Sequence, residues 1–332
     1  MMSALCRCAF VLTLALVSVT AALAQATQIR VGVLKFGTVN WELDVMETHD
    51  LPEKEGFELT VVPLASKSAI NVAVQGGAVD VIVTDWLWVS RQRADGRNYT
   101  FVPYSIAVGG LMVDPAARIA KLSDLRGKKL GVAGGPVDKS WLFLRAFVQK
   151  TSGQDLLDIV EPSFAAPPLL NELMLRGELP AVLNFWHYGA RLRAAGMKQL
   201  LGIEDVLSEL GVQGQLPVIG WVFSETWARE HSEVLQGFLR ASFAAKRIMA
   251  ESDEEWERLR PMIKASDDAT LRALRDTYRA GIPGVFGQSE REAARRVFRI
   301  LAEQGGEELV GSSKTLSAGT FWDGFSIEAA RQ

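Results

Sequence analysis

The feature that most constrains this chain is a pattern that occurs twice. "NVAVQGGAVDVIVTDW" begins at Asn71 and "NELMLRGELPAVLNFW" begins at Asn171. Offset by one hundred positions, Asn71 meets Asn171, Gly77 meets Gly177 and Trp86 meets Trp186, while Trp41 meets Trp141. Each stretch reads as a helix closed by glycine, then an apolar strand, then tryptophan. Glycine relieves the left-handed cap that ends a helix. Few of the paired residues are identical, so the pattern argues for shared topology and not for common ancestry.

The surroundings extend the same order. "QIRVGVLKFG" alternates through Ile29, Val31 and Val33 and predicts a strand with a turn after it. "FELTVVPLAS" predicts a second strand, with Ser66 or Ser68 capping the helix that follows, and "VDVIVTDWLW" predicts a third, buried strand. Later, "GKKLGVAGG" predicts a strand and turn, and "DKSWLFLRAFVQK" a helix with Trp141, Leu144 and Val148 on one face. "DIVEPSFAAP", "PLLNELMLRG" and "PAVLNFWHY" then predict strand, helix, and a strand running into a loop. Strands separated by helices imply βαβ units and mostly parallel sheets. The fold class expected is therefore α/β with two lobes of one topology. "SIAVGGLMVD" and "LPVIGWVFS" are expected to be extended crossovers between the lobes, a hinge of two segments. The boundaries expected are 25–111 with 220–332 for one lobe and 112–219 for the other. From Ser224 the chain reads as helical, with capping boxes at Ser252/Glu255 and Ser289/Glu292, and should pack back on the first lobe.

The ends bound the compartment. Arg7, the apolar run Ala9 to Val19 and Ala22-Leu23-Ala24 form a leader, so residues 1–24 are expected to be a cleaved secretory signal. The apolar run is too short for the ~30 Å of a bilayer core. Both cysteines, Cys6 and Cys8, lie in that leader, so the mature chain forms no disulfide and holds no thiolate metal site or cysteine nucleophile. The formal charge is −3 for the 332-residue chain and −4 once Arg7 is removed, with no basic block, which disfavours nucleic acid and anionic membrane surfaces as partners. A periplasmic location follows if the leader is cut.

In open α/β sheets ligands sit beyond the carboxyl ends of the strands. Those ends carry Trp41, Thr84-Asp85-Trp86, Gly134 to Trp141 and Asn184 to His187. The stretch "VAGGPVDKSWLFL", Val132 to Leu144, invites a phosphate-loop reading, which fails. Counting back from Lys139-Ser140, the two required glycines are Asp138 and Ala133. What remains is a glycine turn leading into a helix N-terminus, which favours acceptor atoms. Asp138 or Ser140 either caps this helix or meets ligand, Lys139 is either solvated or at the ligand, and Trp141 is either core or a ligand platform.

The chain resembles the periplasmic solute-binding proteins of nitrate/sulfonate/taurine-type ABC importers, a group related to proteins that bind thiamine-pyrimidine precursors. The resemblance covers nearly all of the mature chain. It rests on "QIRVGVLKFG", "GGAVDVIVTDW", "KLSDLRGKKLGVAGGPVDKSWLFL" and "LNELMLRGELPAVLNFWHYGARLRAAG", with Leu122 to Val132 the most specific element. It implies two lobes, a hinge, a ligand between them, and delivery to a membrane permease driven by an ATPase, with the binding protein a monomer. Carried over by position, the ligand contacts are Trp41, Ser68, Asp85, Trp86, Gly135, Asp138, Lys139, Ser140, Trp141, Asn184, Trp186 and His187, with Trp221 reaching in from the second crossover. No arginine is placed to clamp a sulfonate. Asp85 and Asp138 beside several tryptophans point to an aromatic, partly apolar or cationic solute. No cofactor is expected.

Two other readings compete. One is an enzyme on the same fold, but the histidines are His49, His187 and His231 alone, and only His187 is near the expected cleft. No Ser-His-Asp set or metal-ligand spacing can be assembled. The other is a binding protein that signals to a periplasmic or membrane partner without transport.

Overall fold

The computed structural model describes residues 27–212 and 214–330. The expected leader, residues 1–24 with Cys6 and Cys8, lies outside the described residues. Among the described residues no helix is long and apolar enough to cross a membrane.

The first part of the chain runs β1 (Thr27–Leu34), α1 (Val39–Thr48), α2 (Leu51–Lys54), β2 (Phe57–Leu64), α3 (Lys67–Gln75), β3 (Val81–Asp85), α4 (Trp86–Ala94) and β4 (Tyr99–Ser105). The second runs β5 (Gly110–Val113), β6 (Lys129–Ala133), α5 (Lys139–Ser152), β7 (Glu161–Ala165), α6 (Pro167–Leu175), β8 (Ala181–Asn184), α7 (Trp186–Ala194), β9 (Lys198–Gly202) and α8 (Ile203–Glu209). The chain then returns through β10 (Ile219–Ser224) to α9 (Glu225–Glu230), α10 (Ser232–Glu251), α11 (Asp253–Ile263), α12 (Asp268–Ala280), α13 (Gln288–Val310) and α14 (Ile327–Ala330).

Two five-stranded sheets result, ordered β2-β1-β3-β10-β4 and β7-β6-β8-β5-β9. In the first, β1 pairs in parallel with β2 and β3, and β10 runs antiparallel between β3 and β4. In the second, β6 pairs in parallel with β7 and β8, and β5 runs antiparallel between β8 and β9. The two orders are the same. In each sheet the fourth position is filled by the strand that arrives from the other lobe. Gly110 and Leu111 pair with Asn184 and Leu183, so both residues belong to the second sheet, beyond the first crossover. The edge strands β4 and β9 complete the sheets without having been expected from the sequence.

Local chemistry sets the boundaries. Ser66, and not Ser68, caps α3, its Oγ accepting the Ala69 N–H at 3.1 Å. The strand expected to run through "TDWLW" stops at Asp85, because the Asp85 carboxylate accepts the Trp88 N–H at 2.9 Å and starts α4. Likewise "NFWHY" turns from strand to helix at Trp186. Gly77 and Gly177 take φ of 69° and 75°, the left-handed backbone a helix stop requires. Ser252 caps α11 through the Glu255 N–H. Ser289 does not cap α13, which starts at Gln288 with Glu290 accepting the Gly287 N–H at 2.7 Å.

The helical C-terminal region packs on the first lobe, where α10 and α11 lie against α1. Its later helices also reach the second lobe. Helix α12 packs on α7, and α13 lies against both α4 and α5. Arg191 on α7 donates to the Ile263 and Lys264 carbonyls at 2.7 and 3.1 Å, and Arg193 donates to Thr277 Oγ1 at 2.6 Å. One hydrophobic cluster therefore runs from Ile82 and Phe101 of the first sheet through Val297, Phe298 and Leu301 of α13 to Leu130 and Leu183 of the second. Each such aliphatic or aromatic side chain, fully buried, contributes about 1.5–3 kcal/mol.

Candidate functional site

The carboxyl ends of β1 and β3 face the starts of α5 and α7 across a gap. The two crossovers, through Ala107, Val108 and Gly109 on one side and Val218 on the other, form its floor. The gap encloses a cavity of ≈ 250 Å³, room for a small solute. Val33, Leu34, Val39, Ile70, Val83, Val108, Phe185, Trp186 and Ile219 give it apolar walls. Polar atoms come from Thr38, Asn71, Thr84, Ser140 and His187, and charge from Lys67, Asp85, Asp138 and Lys139.

One contact joins the lobes through the cavity wall. Lys139 Nζ, at the start of α5, sits 2.9 Å from Asp85 Oδ2, at the end of β3, with these side chains only 22% and 16% exposed. Burial alone would raise the Asp85 carboxyl, but the Lys139 charge and hydrogen bond, the Trp88 N–H and the Lys67 charge outweigh it and hold the group below the usual range. Burial works to lower the Lys139 ammonium, yet Asp85 holds it above its ordinary value. Asp138 goes the other way: burial raises it, only partly offset by Lys139 and Lys67. Its Oδ1 accepts the Ser140 N–H at 2.9 Å, so it caps α5. Burial, helped by the Arg191 charge, pushes the His187 imidazole down to about 3, so it is neutral near pH 7. Its Nδ1 is buried with no hydrogen-bond partner.

Of the residues singled out in the sequence, Asp85, Asp138, Lys139, Ser140, Trp186 and His187 line the cavity together. The others do not. Ser68 is exposed on the first turn of α3, beside the lining residue Lys67. Gly135, with φ of 126°, shapes the turn before α5 and accepts the Asp138 N–H through its carbonyl at 3.0 Å. Asn184 is 1% exposed and builds the β8–α7 turn, donating to Asn171 Oδ1 and the Pro167 carbonyl and accepting the Phe185 N–H.

Four tryptophans are corrected from cleft to interior. Trp86 is fully buried, its Nε1 donating to the Pro217 carbonyl at 3.0 Å. Trp141 is 1% exposed and packs edge-on to Phe164. Trp221 is fully buried between Tyr104 and Phe238, and its Nε1 donates to Ser242 Oγ, which donates to buried Glu42. Trp41 is 6% exposed and lies behind the cavity wall, edge-on to Trp186 with ring centroids 6.0 Å apart. Each of these rings is covered by a segment distant in sequence, which is why strand-end position alone misplaced it.

Sequence reasoning missed the lining from Leu34 to Val39, from Lys67 to Asn71 and from the first crossover. The signal was available: a pair of crossovers at the ends of facing strands must floor the gap between them. A Cβ on Gly109 would run into the Asn184 carbonyl oxygen, so the crossover passes directly over the start of α7. Among the described residues, no grouping of His, Cys, Asp and Glu suits a metal ion.

Comparison with known proteins places this geometry. The chain matches the aliphatic sulphonate binding protein SsuA of Escherichia coli at 18% identity and a TM-score of 0.69, over 89% of this chain and 97% of that one. It matches SsuA of Xanthomonas axonopodis pv. citri, solved with MOPS, at 16% identity and a TM-score of 0.68, over 89% and 98%. The nitrate-binding protein NrtA of Synechocystis PCC 6803 matches at 12% identity and a TM-score of 0.55, over 79% and 71%. No curated protein sequence matches the chain. At these identities the structural likeness establishes the two-lobed binding-protein fold. The NMT1/THI5-like family model matches residues 50–255, from the loop before α2 into α11, and the chain belongs to that family.

Proposed function

We propose that the protein is the solute-binding component of an ABC importer, holding a small organic solute between its lobes and presenting it to a membrane permease powered by an ATPase. The observation that carries this reading is the cavity between the two sheets, spanned by the Asp85–Lys139 pair. Such a pair forms only when the lobes are together, so closure and enclosure of a solute are one event. The lobes divide at residues 106–109 and 214–218. The pairing of Gly110 and Leu111 with the second sheet supports moving the first boundary back from 111. Asp85, Asp138, Lys139, Ser140, Trp186 and His187 contact the solute, joined by Thr38, Asn71 and Thr84. Residues 1–24 are a cleaved signal, the mature protein is periplasmic, and it works as a monomer.

The reading is one of binding and not of turnover. A general base works best with a pKa near the operating pH, and burial pushes the His187 imidazole down to about 3. The experiment is a titration of the mature protein with alkanesulfonates, nitrate, aromatic acids, amides and amines. It follows tryptophan emission, for which Trp186 is the reporter in the wall, together with melting temperature. A saturable emission change with a stability gain of about 2.7 kcal/mol at one hundred times Kd supports the reading. Silence across the panel, or conversion of a bound compound into product, overturns it.

A further inference from the structure

We propose that the cavity selects an uncharged solute with an apolar body and a hydrogen-bond-accepting end, and that the Asp85–Lys139 pair sets this preference. The inference rests on the solute-binding reading above and names the class of solute.

The charged lining is balanced. Lys67 and Lys139 stand against Asp85 and Asp138, and among the described residues no arginine lines the cavity. The interior charges are also committed. Asp85 gives Oδ2 to Lys139 at 2.9 Å and Oδ1 to the Trp88 N–H at 2.9 Å. Asp138 gives Oδ1 to the Ser140 N–H. Both carboxylates sit at helix N-termini, so they offset the positive ends of α4 and α5 that would otherwise attract an anion. Lys67, on the exposed first turn of α3, has its Nζ 5.8 Å from the centroid of the Phe185 ring.

An anion that pairs with Lys139 takes it from Asp85 and leaves a largely buried carboxylate unpaired. A cation that pairs with Asp85 strands Lys139. Breaking a buried pair from either side is strongly unfavourable, whereas a neutral solute leaves it intact. The polar contacts that remain suit such a solute. Thr38, Thr84 and Ser140 supply hydroxyls that a neutral acceptor can meet. The apolar walls then hold the body of the molecule.

The test uses three compounds of nearly one shape: benzamide, benzoate and benzylamine. Affinities are measured near pH 7 by calorimetry and by tryptophan emission. Wild type is expected to prefer benzamide to both charged analogues by about tenfold or more. Asp85→Asn keeps a side chain that caps α4 but releases the Lys139 charge, and should improve benzoate relative to benzamide by about tenfold. Lys139→Met should move the preference toward benzylamine. Melting temperatures check that each variant is folded. A wild type that prefers benzoate, a wild type that binds none of the three, or an unchanged ranking in folded Asp85→Asn overturns the proposal. Tight binding of an alkanesulfonate by wild type also overturns it while leaving the solute-binding reading standing. Silence across the wider panel is instead the failure of that reading.

Discussion

Trp86 and Trp186 occupy the same place in the two lobes, each the first residue of the helix that follows the third parallel strand, and they do opposite things. Trp86 is fully buried, its indole N–H bonded to the Pro217 carbonyl and its ring edge-on to Phe321. Trp186 is 9% exposed and lines the cavity. The residues before them differ in kind as well. Asp85 caps its helix with a carboxylate that also crosses to the other lobe, whereas Phe185 offers no side-chain cap and adds an apolar wall. The lobes share a frame, and the cavity comes from where they depart from each other. Each lobe supplies one charge of the pair that bridges the gap, and the second lobe supplies the aromatic surface.

The largest effect that probes this difference is truncation of the two rings. Trp86→Ala should cost about 3–5 kcal/mol in denaturant unfolding, while solute affinity of the folded protein is largely kept. Trp186→Ala should cost less stability and most of the affinity. Equal stability losses would break the comparison. The next pair sharpens it. Asn184→Ala removes a buried amide that fastens α6 to the start of α7, and should cost about 1–3 kcal/mol. Thr84→Ala, at the equivalent place in the first lobe, should mainly affect affinity, which calorimetry would separate from stability. A further effect is on pH. His187 has a folded pKa of about 3, below its unfolded value, so the folded protein binds fewer protons in the acid range. Its contribution is complete above pH ~6.5 and is lost on acidification by up to about 1.4 kcal/mol per pH unit toward the folded pKa. His187→Gln should flatten the stability profile between pH ~6.5 and 4.5, and an unchanged profile would show that the ring is not shielded from water.

Much of the frame was legible because it is written in local chemistry. Glycine at 77 and 177, alternation in β1, and the helix start at Asp138 are short-range signals, and each has a single physical meaning. The strand end at Asp85 was misjudged, although the cap that ends it is also local. An aspartate before a tryptophan in an apolar run reads equally as the tail of a strand. The tryptophans were not legible. Trp86, Trp141 and Trp221 are covered by Phe321, Phe164 and Phe238, which the sequence does not mark as neighbours. The Asp85–Lys139 pair was present as two separate candidates, but only the facing of two lobes makes them one feature.

The shared hydrophobic cluster built around α13 has a consequence for how the molecule comes apart. Two lobes joined only by thin crossovers would melt as two independent calorimetric transitions. Here Val297, Phe298 and Leu301 of α13 are buried in one cluster with residues of both lobes, and α13 lies against α4 of one lobe and α5 of the other, so neither lobe can lose its order without stripping cover from the other. The protein should therefore unfold in one sharp endotherm, and proteases that act on half-unfolded chains would rarely meet one.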